Sequence, residues 1–176
     1  MNQNMRMIVI LLVVFVVLGI CWIHTSFIRL DLMNKSDIEA SHILYNYILK
    51  ENSMTTSELE KFANINMSVI KAHKVDLNDD GVMEIVGVVY SPIYLGTEGY
   101  NLFILQKKED SYKQISNFVN FEPLAPVYIL PFKTEGYRNI LFRGSVHNNF
   151  SFLITKYING AYENGKQLKN MLDICR

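Results

Sequence analysis

The stretch at residues 68–90, SVIKAHKVDLNDDGVMEIVGVVY, decides the fold that we expect for this chain. Two β-rich segments, near residues 68–75 and 83–91, flank a turn at residues 78–81. Asn and Asp favour turns because their side chains bind nearby backbone groups, and Gly favours them because it accepts positive φ. The stretch therefore predicts an antiparallel hairpin that opens a β-meander.

Further β-rich segments follow at short intervals, which extends the predicted meander to about six to seven strands. They lie near residues 100–107, 111–118, 126–132, 137–146 and 150–158, with a short return at 161–164. The Asn159-Gly160 pair suits a type I′ turn, which needs positive φ at both central residues. We expect the last two segments to pair across this turn.

Two helices are predicted before the first strand. The tetrapeptide SDIE at residues 36–39 reads as a capping box that starts a helix reaching about Lys50. The tetrapeptide TTSE at residues 55–58 has the same pattern and starts a shorter helix through Leu59 and Phe62. The predicted fold class is α+β, with two short helices followed by the antiparallel meander.

The uncharged apolar run at residues 7–23, MIVILLVVFVVLGICWI, predicts an N-terminal membrane helix. A helix needs about 20 apolar residues to cross a bilayer, and Phe27 and Ile28 extend the run toward that length. Trp22 suits the membrane interface. We therefore divide the chain into a signal anchor at residues 1–28 and a single domain at residues 29–176.

Two other interpretations of this run stay open. It can be a signal peptide that is cleaved, or a lipoprotein signal in which Cys21 is modified. The run lacks the small residues of a peptidase site, and Ile20 stands where a lipoprotein signal has a small residue. Only Arg6 and the amino terminus precede the run, and no basic cluster follows it, which favours a body in the periplasm or at the cell surface.

Composition limits the classes of function that the body, the part of the chain after the apolar run, can have. The chain has 17 basic and 17 acidic residues, and Arg6 is the only charged residue before position 24. A near-neutral body lacks the basic face that nucleic acid requires. The only cysteines, Cys21 and Cys175, leave no internal disulfide or Cys-based zinc site in the body. No catalytic motif is present, and the four histidines are not spaced as metal ligands, which favours a binding module over an enzyme.

One motif indicates a metal. Residues 76–84, DLNDDGVME, read as D-x-N-x-D-G-x-x-E, a spacing that suits Ca²⁺, which takes about six to eight oxygen ligands. The predicted ligands are side-chain oxygens at alternate positions, a later carboxylate and one backbone carbonyl: Asp76, Asn78, Asp80, Glu84 and the carbonyl of Val82. The alternative is a hairpin turn without metal.

This loop resembles those of EF-hand and dockerin modules, and more closely those of FG-GAP and related propeller-type repeats, in which a strand follows the loop directly. Gly87 stands where an EF-hand has its twelfth-position Glu, and a propeller requires repeated blades. A wider pattern resembles small exported bacterial proteins of unassigned function, on the segments DLNDDGVMEIVGVVY, YNLFIL, YILPFKTEGYRNILF and FLITKYINGAYE. That resemblance implies a compact sheet domain in the cell envelope.

The loop at residues 91–100, SPIYLGTEGY, is the candidate surface for a partner. It presents Tyr94, Leu95 and Tyr100 between turn-forming residues, and loops on a rigid sheet often carry binding function. The alternative is a loop folded back over the sheet edge. The leading hypothesis is a membrane-anchored envelope protein that binds a protein or envelope component, as an inhibitor, immunity or accessory protein does. The second is a calcium-dependent envelope hydrolase whose catalytic residues are distant in sequence.

Overall fold

A computed structural model describes residues 27–96, 99–116, 121–122, 125–146, 149–163 and 165–168. The predicted membrane segment lies outside these residues, apart from Phe27 and Ile28. For Ile28 the prediction is wrong, because this residue opens a strand instead of extending the apolar segment. Within the described ranges, no helix combines the length and apolarity needed to span a bilayer.

Two helices precede the main sheets, as predicted. Helix α1 is Ile38–Glu51 and helix α2 is Thr56–Ala63. The capping box of α2 is confirmed, since Thr55 and Glu58 bind each other's backbone N–H groups. The predicted cap of α1 is wrong by one residue: Asp37 is the N-cap, and its carboxylate accepts the N–H groups of Glu39 and Ala40.

Antiparallel strands contain more residues than the helices do, and both are present, which confirms the α+β class. In chain order they are β1 (Ile28–Leu30), β2 (Ile70–Val75), β3 (Glu84–Val89), β4 (Leu95–Gly96), β5 (Gly99–Tyr100), β6 (Leu102–Lys108), β7 (Ser111–Gln114), β8 (Val127–Thr134), β9 (Tyr137–Val146), β10 (Asn149–Thr155), β11 (Tyr157–Ile158), β12 (Ala161–Tyr162) and β13 (Lys166–Gln167). Seven of these strands have at least four residues, in line with the predicted six to seven.

The strands form two main sheets instead of one continuous meander. One has the order β2-β3-β6-β7, and the other has the order β1-β8-β9-β10-β13. The predicted first hairpin is present, with Val75 opposite Glu84 and Ile70 opposite Val89. The pairs β4-β5 and β11-β12 are short hairpins beside the sheets, and Tyr162 of β12 reaches the first sheet by donating its N–H to the Ile115 carbonyl at 2.7 Å.

The domain has three layers and two apolar cores. The helices cover one face of the four-stranded sheet, and the five-stranded sheet covers its other face. All six residues of β3 are buried because this strand lies between both cores. Side chains alternate along a strand, so Ile85 and Val89 face the helices while Val86 and Val88 face the second sheet.

Gly87 permits the close approach of α1 to the sheet. A Cβ at this position would lie 2.7 Å from both the Ala72 Cβ and the Leu44 Cδ2, and 2.8 Å from the Lys71 carbonyl oxygen. Any side chain here would therefore push the helix away from β2 and β3.

One end of the sandwich carries the loop at residues 76–83 and the turn between β8 and β9. The two are joined because the Arg138 N–H donates to the Leu77 carbonyl at 2.7 Å. The turn after β11 lies at the same end, since the Asn159 N–H donates to the Glu135 carboxylate at 3.0 Å. We call this the acidic end.

The segment at residues 90–96 follows β3 and therefore lies at the opposite end of the sandwich. The C-terminus of α1 is also there, because the Asn52 amide donates to the Tyr94 hydroxyl at 2.9 Å. We call this the Tyr94 end. The two candidate sites found in the sequence thus lie at opposite ends of one domain.

Candidate functional site

The acidic loop at residues 76–84 is closed by hydrogen bonds from its own backbone. One oxygen of Asp76 accepts the Asp79 N–H at 2.6 Å, and the other accepts the Gly81 N–H at 2.9 Å. The Asp80 carboxylate accepts the Val82 N–H at 2.7 Å. Asp79 and Gly81 both have positive φ, which the tight reversal requires.

Asn78 links the predicted ligands to the second sheet. Its side-chain oxygen accepts the Asp80 N–H at 3.2 Å, and its amide donates to the Asp80 carboxylate at 2.7 Å. The same amide contacts the Tyr137 hydroxyl at 3.3 Å. Asp76, Asn78 and Asp80 therefore lie together in one loop, with their side-chain oxygens engaged by N–H groups of that loop.

Glu84 differs from the other acidic residues because it points into the protein. It alternates with Val86 and Val88 toward the second sheet, and only 1% of its surface is exposed. Its carboxylate accepts the Leu77 N–H at 2.9 Å. Burial, together with a smaller effect of the charges of Asp80 and Asp76, raises the pKa of Glu84 to about 7, although the hydrogen bond from Leu77 opposes the shift.

Three tyrosines from the second sheet and the C-terminal hairpin lie near Glu84. Tyr137 stacks on Tyr157 with ring centroids 4.0 Å apart, and Tyr162 meets both rings edge-on. Burial raises the pKa of all three hydroxyls, and the charge of Glu84 contributes to each shift. The Tyr162 hydroxyl donates to the Arg138 carbonyl at 2.8 Å, and the Gln106 amide donates to the Tyr137 hydroxyl.

Two basic residues hold the acidic loop against the β8-β9 hairpin. Asp79 lies 2.6 Å from the Lys133 ammonium and 3.0 Å from the Arg138 guanidinium. Hydrogen bonds from Lys133 and then Arg138 lower the pKa of Asp79. The Lys133 ammonium also donates to the Asn78 carbonyl at 2.9 Å. Sequence reasoning missed both cations because more than fifty positions separate them from the loop.

The loop and its surroundings supply carboxylate and amide oxygens within one turn, which is the ligand chemistry that Ca²⁺ prefers. Among the described residues, no group of three or more His, Cys, Asp and Glu side chains has the arrangement of a metal site. Ca²⁺ binding by Asp76, Asn78, Asp80, Glu84 and the Val82 carbonyl stays a prediction.

The two tyrosines of the predicted partner loop pack against the domain. Tyr94 meets Phe103 edge-on, with ring centroids 5.4 Å apart, and Tyr100 meets Tyr90 in the same way at 5.4 Å. Leu95 instead has 49% of its surface exposed. The neighbouring Ile93 is also exposed, which the sequence reasoning did not single out. The outward apolar surface of this loop is therefore aliphatic, with the tyrosines as its support.

Comparison of the chain with protein-family models, with curated proteins and with solved structures gives no match.

Proposed function

We propose that the protein is a membrane-anchored module, facing the cell envelope, that binds a protein or another envelope component through Ile93 and Leu95. The observation that carries the proposal is the exposure of both aliphatic side chains on a segment held by Tyr94. Each Å² of apolar surface removed from water contributes about 25 cal/mol, so covering these side chains favours association.

The segment that carries Ile93 and Leu95 is also held in place by its neighbours, which favours binding. Tyr94 is fixed on one side by Phe103 and on the other by the hydrogen bond from Asn52. The short 3₁₀ helix Pro92–Tyr94 and the pairing of Leu95 with Tyr100 fix its backbone. A segment that is ordered before binding loses less conformational entropy when a partner covers it.

The membrane part of the proposal rests on the apolar run at residues 7–23. Its length favours a membrane helix, and the distribution of basic residues favours a body in the periplasm or at the cell surface. A binding module fixed there would meet partners in the envelope.

A photo-crosslinking amino acid at position 95 tests the binding surface in cells that make the full-length protein. Phe152 is the matched control, because 47% of its surface is exposed on the outer face of β10. We expect one crosslinked species of discrete mass from position 95 and none from position 152. Adducts from position 152 alone, or from neither position, would contradict the proposed surface.

We also propose that the acidic loop binds Ca²⁺ and that the ion stabilises the β2-β3 hairpin. The supporting observation is the burial of the Glu84 carboxyl beside the charges of Asp76 and Asp80, which a cation would offset. The alternative, a calcium-dependent envelope hydrolase whose catalytic residues are distant in sequence, stays a prediction.

Thermal unfolding with Ca²⁺ and with a chelator tests the calcium proposal. We expect Ca²⁺ to raise the melting temperature of the wild type. Asp80→Asn should abolish that rise because it removes a predicted ligand charge. Asp79→Asn should keep it, because Asp79 binds Lys133 and Arg138 and is not a predicted ligand. A wild type whose melting temperature is the same in both solutions would overturn the proposal.

A further inference from the structure

Strand β1 runs away from the acidic end. Strand β8 runs toward the acidic end, because the β8-β9 turn lies there, and β1 is antiparallel to β8. Ile28, its first residue, is therefore the residue of β1 nearest to the acidic end.

Ile28 also lies nearer to the acidic end than to the Tyr94 end. It pairs with Ile129, which pairs with Ile140 of β9. Strand β9 begins only three residues before Ile140, at Tyr137, which is about 10 Å along a strand. Its other end, Val146, is about 20 Å away by the same measure.

The spacing between the apolar run and β1 limits how far the domain stands from the membrane. The uncharged run ends at Ile23, so at most residues 24–27 separate the membrane segment from Ile28. Five residue steps span at most about 17 Å when fully extended. The reach is at most about 17 Å and the acidic end extends about 10 Å beyond Ile28, so an anchored chain holds that end near the lipid surface.

The acidic end carries apolar and cationic side chains suited to such a surface. Val82 has 42% of its surface exposed and Met83 has 47%. They border an open depression of about 290 Å³ whose other lining residues include Lys107 and the ion pair of Lys74 with Glu39, in which the ammonium and the carboxylate lie 2.6 Å apart. Lys107, beside these exposed apolar side chains, suits the boundary between acyl chains and phosphate headgroups.

We infer that the acidic end of the domain lies against the membrane surface, with Val82 and Met83 in the headgroup region, so that the Tyr94 end points away from the membrane. The inference rests on the membrane anchor of the proposed function. In this orientation the lipid surface covers Val82 and Met83, and Ile93 and Leu95 stay accessible to partners in the envelope.

Fluorescence quenching on the full-length protein in phospholipid nanodiscs tests this orientation. Cys21 and Cys175 are replaced by alanine, and an environment-sensitive dye is attached to Met83→Cys or, as the control of matched exposure, to Leu95→Cys. The quencher is a nitroxide on the lipid headgroup. We expect at least twofold stronger quenching at position 83 than at position 95. Val82→Cys is a second variant in case labelling at position 83 disturbs the fold.

The outcomes separate the orientation from the anchor. Equal quenching at positions 83 and 95, or stronger quenching at position 95, would overturn the orientation while the anchor stands, provided that the protein resists extraction from membranes by alkaline carbonate. Release of the full-length protein by carbonate would overturn the anchor, and the orientation with it.

Discussion

At the scale of single residues, Glu84 makes stability depend on pH. Its pKa is about 7 in the folded protein, against an ordinary value of 4.5. Between these values the folded state keeps a proton that the unfolded chain releases, so the free energy of unfolding falls as pH rises. The shift corresponds to about 3 kcal/mol, present at pH 4.5 and lost above pH 7.

Glu84→Gln should remove most of this pH dependence, because glutamine does not titrate and its oxygen still accepts the Leu77 N–H. Urea unfolding of both proteins between pH 5 and pH 8, with a chelator present so that no Ca²⁺ binds Glu84, measures the difference. The range avoids Asp79, whose lowered pKa acts in the opposite direction and only at more acid pH. Parallel pH profiles for the wild type and the variant would contradict the prediction.

Gly87 is the second residue with a strong expected effect. Gly87→Ala places a methyl group 2.7 Å from Leu44 and 2.8 Å from the Lys71 carbonyl, so the helix or the strand has to shift. We expect a loss of about 2–3 kcal/mol, which chemical denaturation measures. Gly136→Ala is the comparison, because it adds only the strain of a positive φ with no atom within 4 Å. A smaller loss at Gly87 than at Gly136 would argue against this packing.

At the scale of elements, two residues of the same tetrapeptide can be tested as the N-cap of α1: Asp37, as the structure has it, and Ser36, as the sequence predicts. Asp37→Ala should cost about 1 kcal/mol because it removes the acceptor of two helix N–H groups. Ser36→Ala should cost almost nothing, since Ser36 lies outside the cap. Unfolding free energies of the two variants measure the difference, and a larger loss for Ser36→Ala would restore the sequence-based prediction.

The two predicted capping boxes show how far local sequence determines the residue at which a helix begins. For α2 the pattern predicts the first residue correctly, since Thr55 and Glu58 bind each other's backbone N–H groups. For α1, Ser36 and Asp37 are both good cap residues. The Asp37 N–H donates to the Ala72 carbonyl of β2, so a distant strand fixes the register of the cap.

At the scale of the whole molecule, strand positions were predictable and their arrangement was not. Turn residues are local, so the pattern placed the segments from β2 to β10 within a few residues of their bounds. The division into two sheets depends on which faces meet. All six residues of β3 are buried, and its mostly apolar sequence does not indicate which of them face the helices and which face the second sheet. In the structure Ile85 faces the helices, whereas Glu84 and Val86 face the second sheet. Lys133 and Arg138, which bind Asp79, could not be predicted either, because they are distant from it in sequence.

Because β3 belongs to both cores, we expect the domain to unfold in one transition. Ile85 is fully buried on the helix side, and Ile140 is fully buried between the sheets. Replacing either by alanine should cost about 2–5 kcal/mol. Each variant should lower the midpoint of the far-ultraviolet signal of the helices and that of the near-ultraviolet signal of the tyrosines near Glu84 by the same amount. If Ile85→Ala lowered only the helical midpoint, the helix layer would unfold as a unit separate from the two sheets.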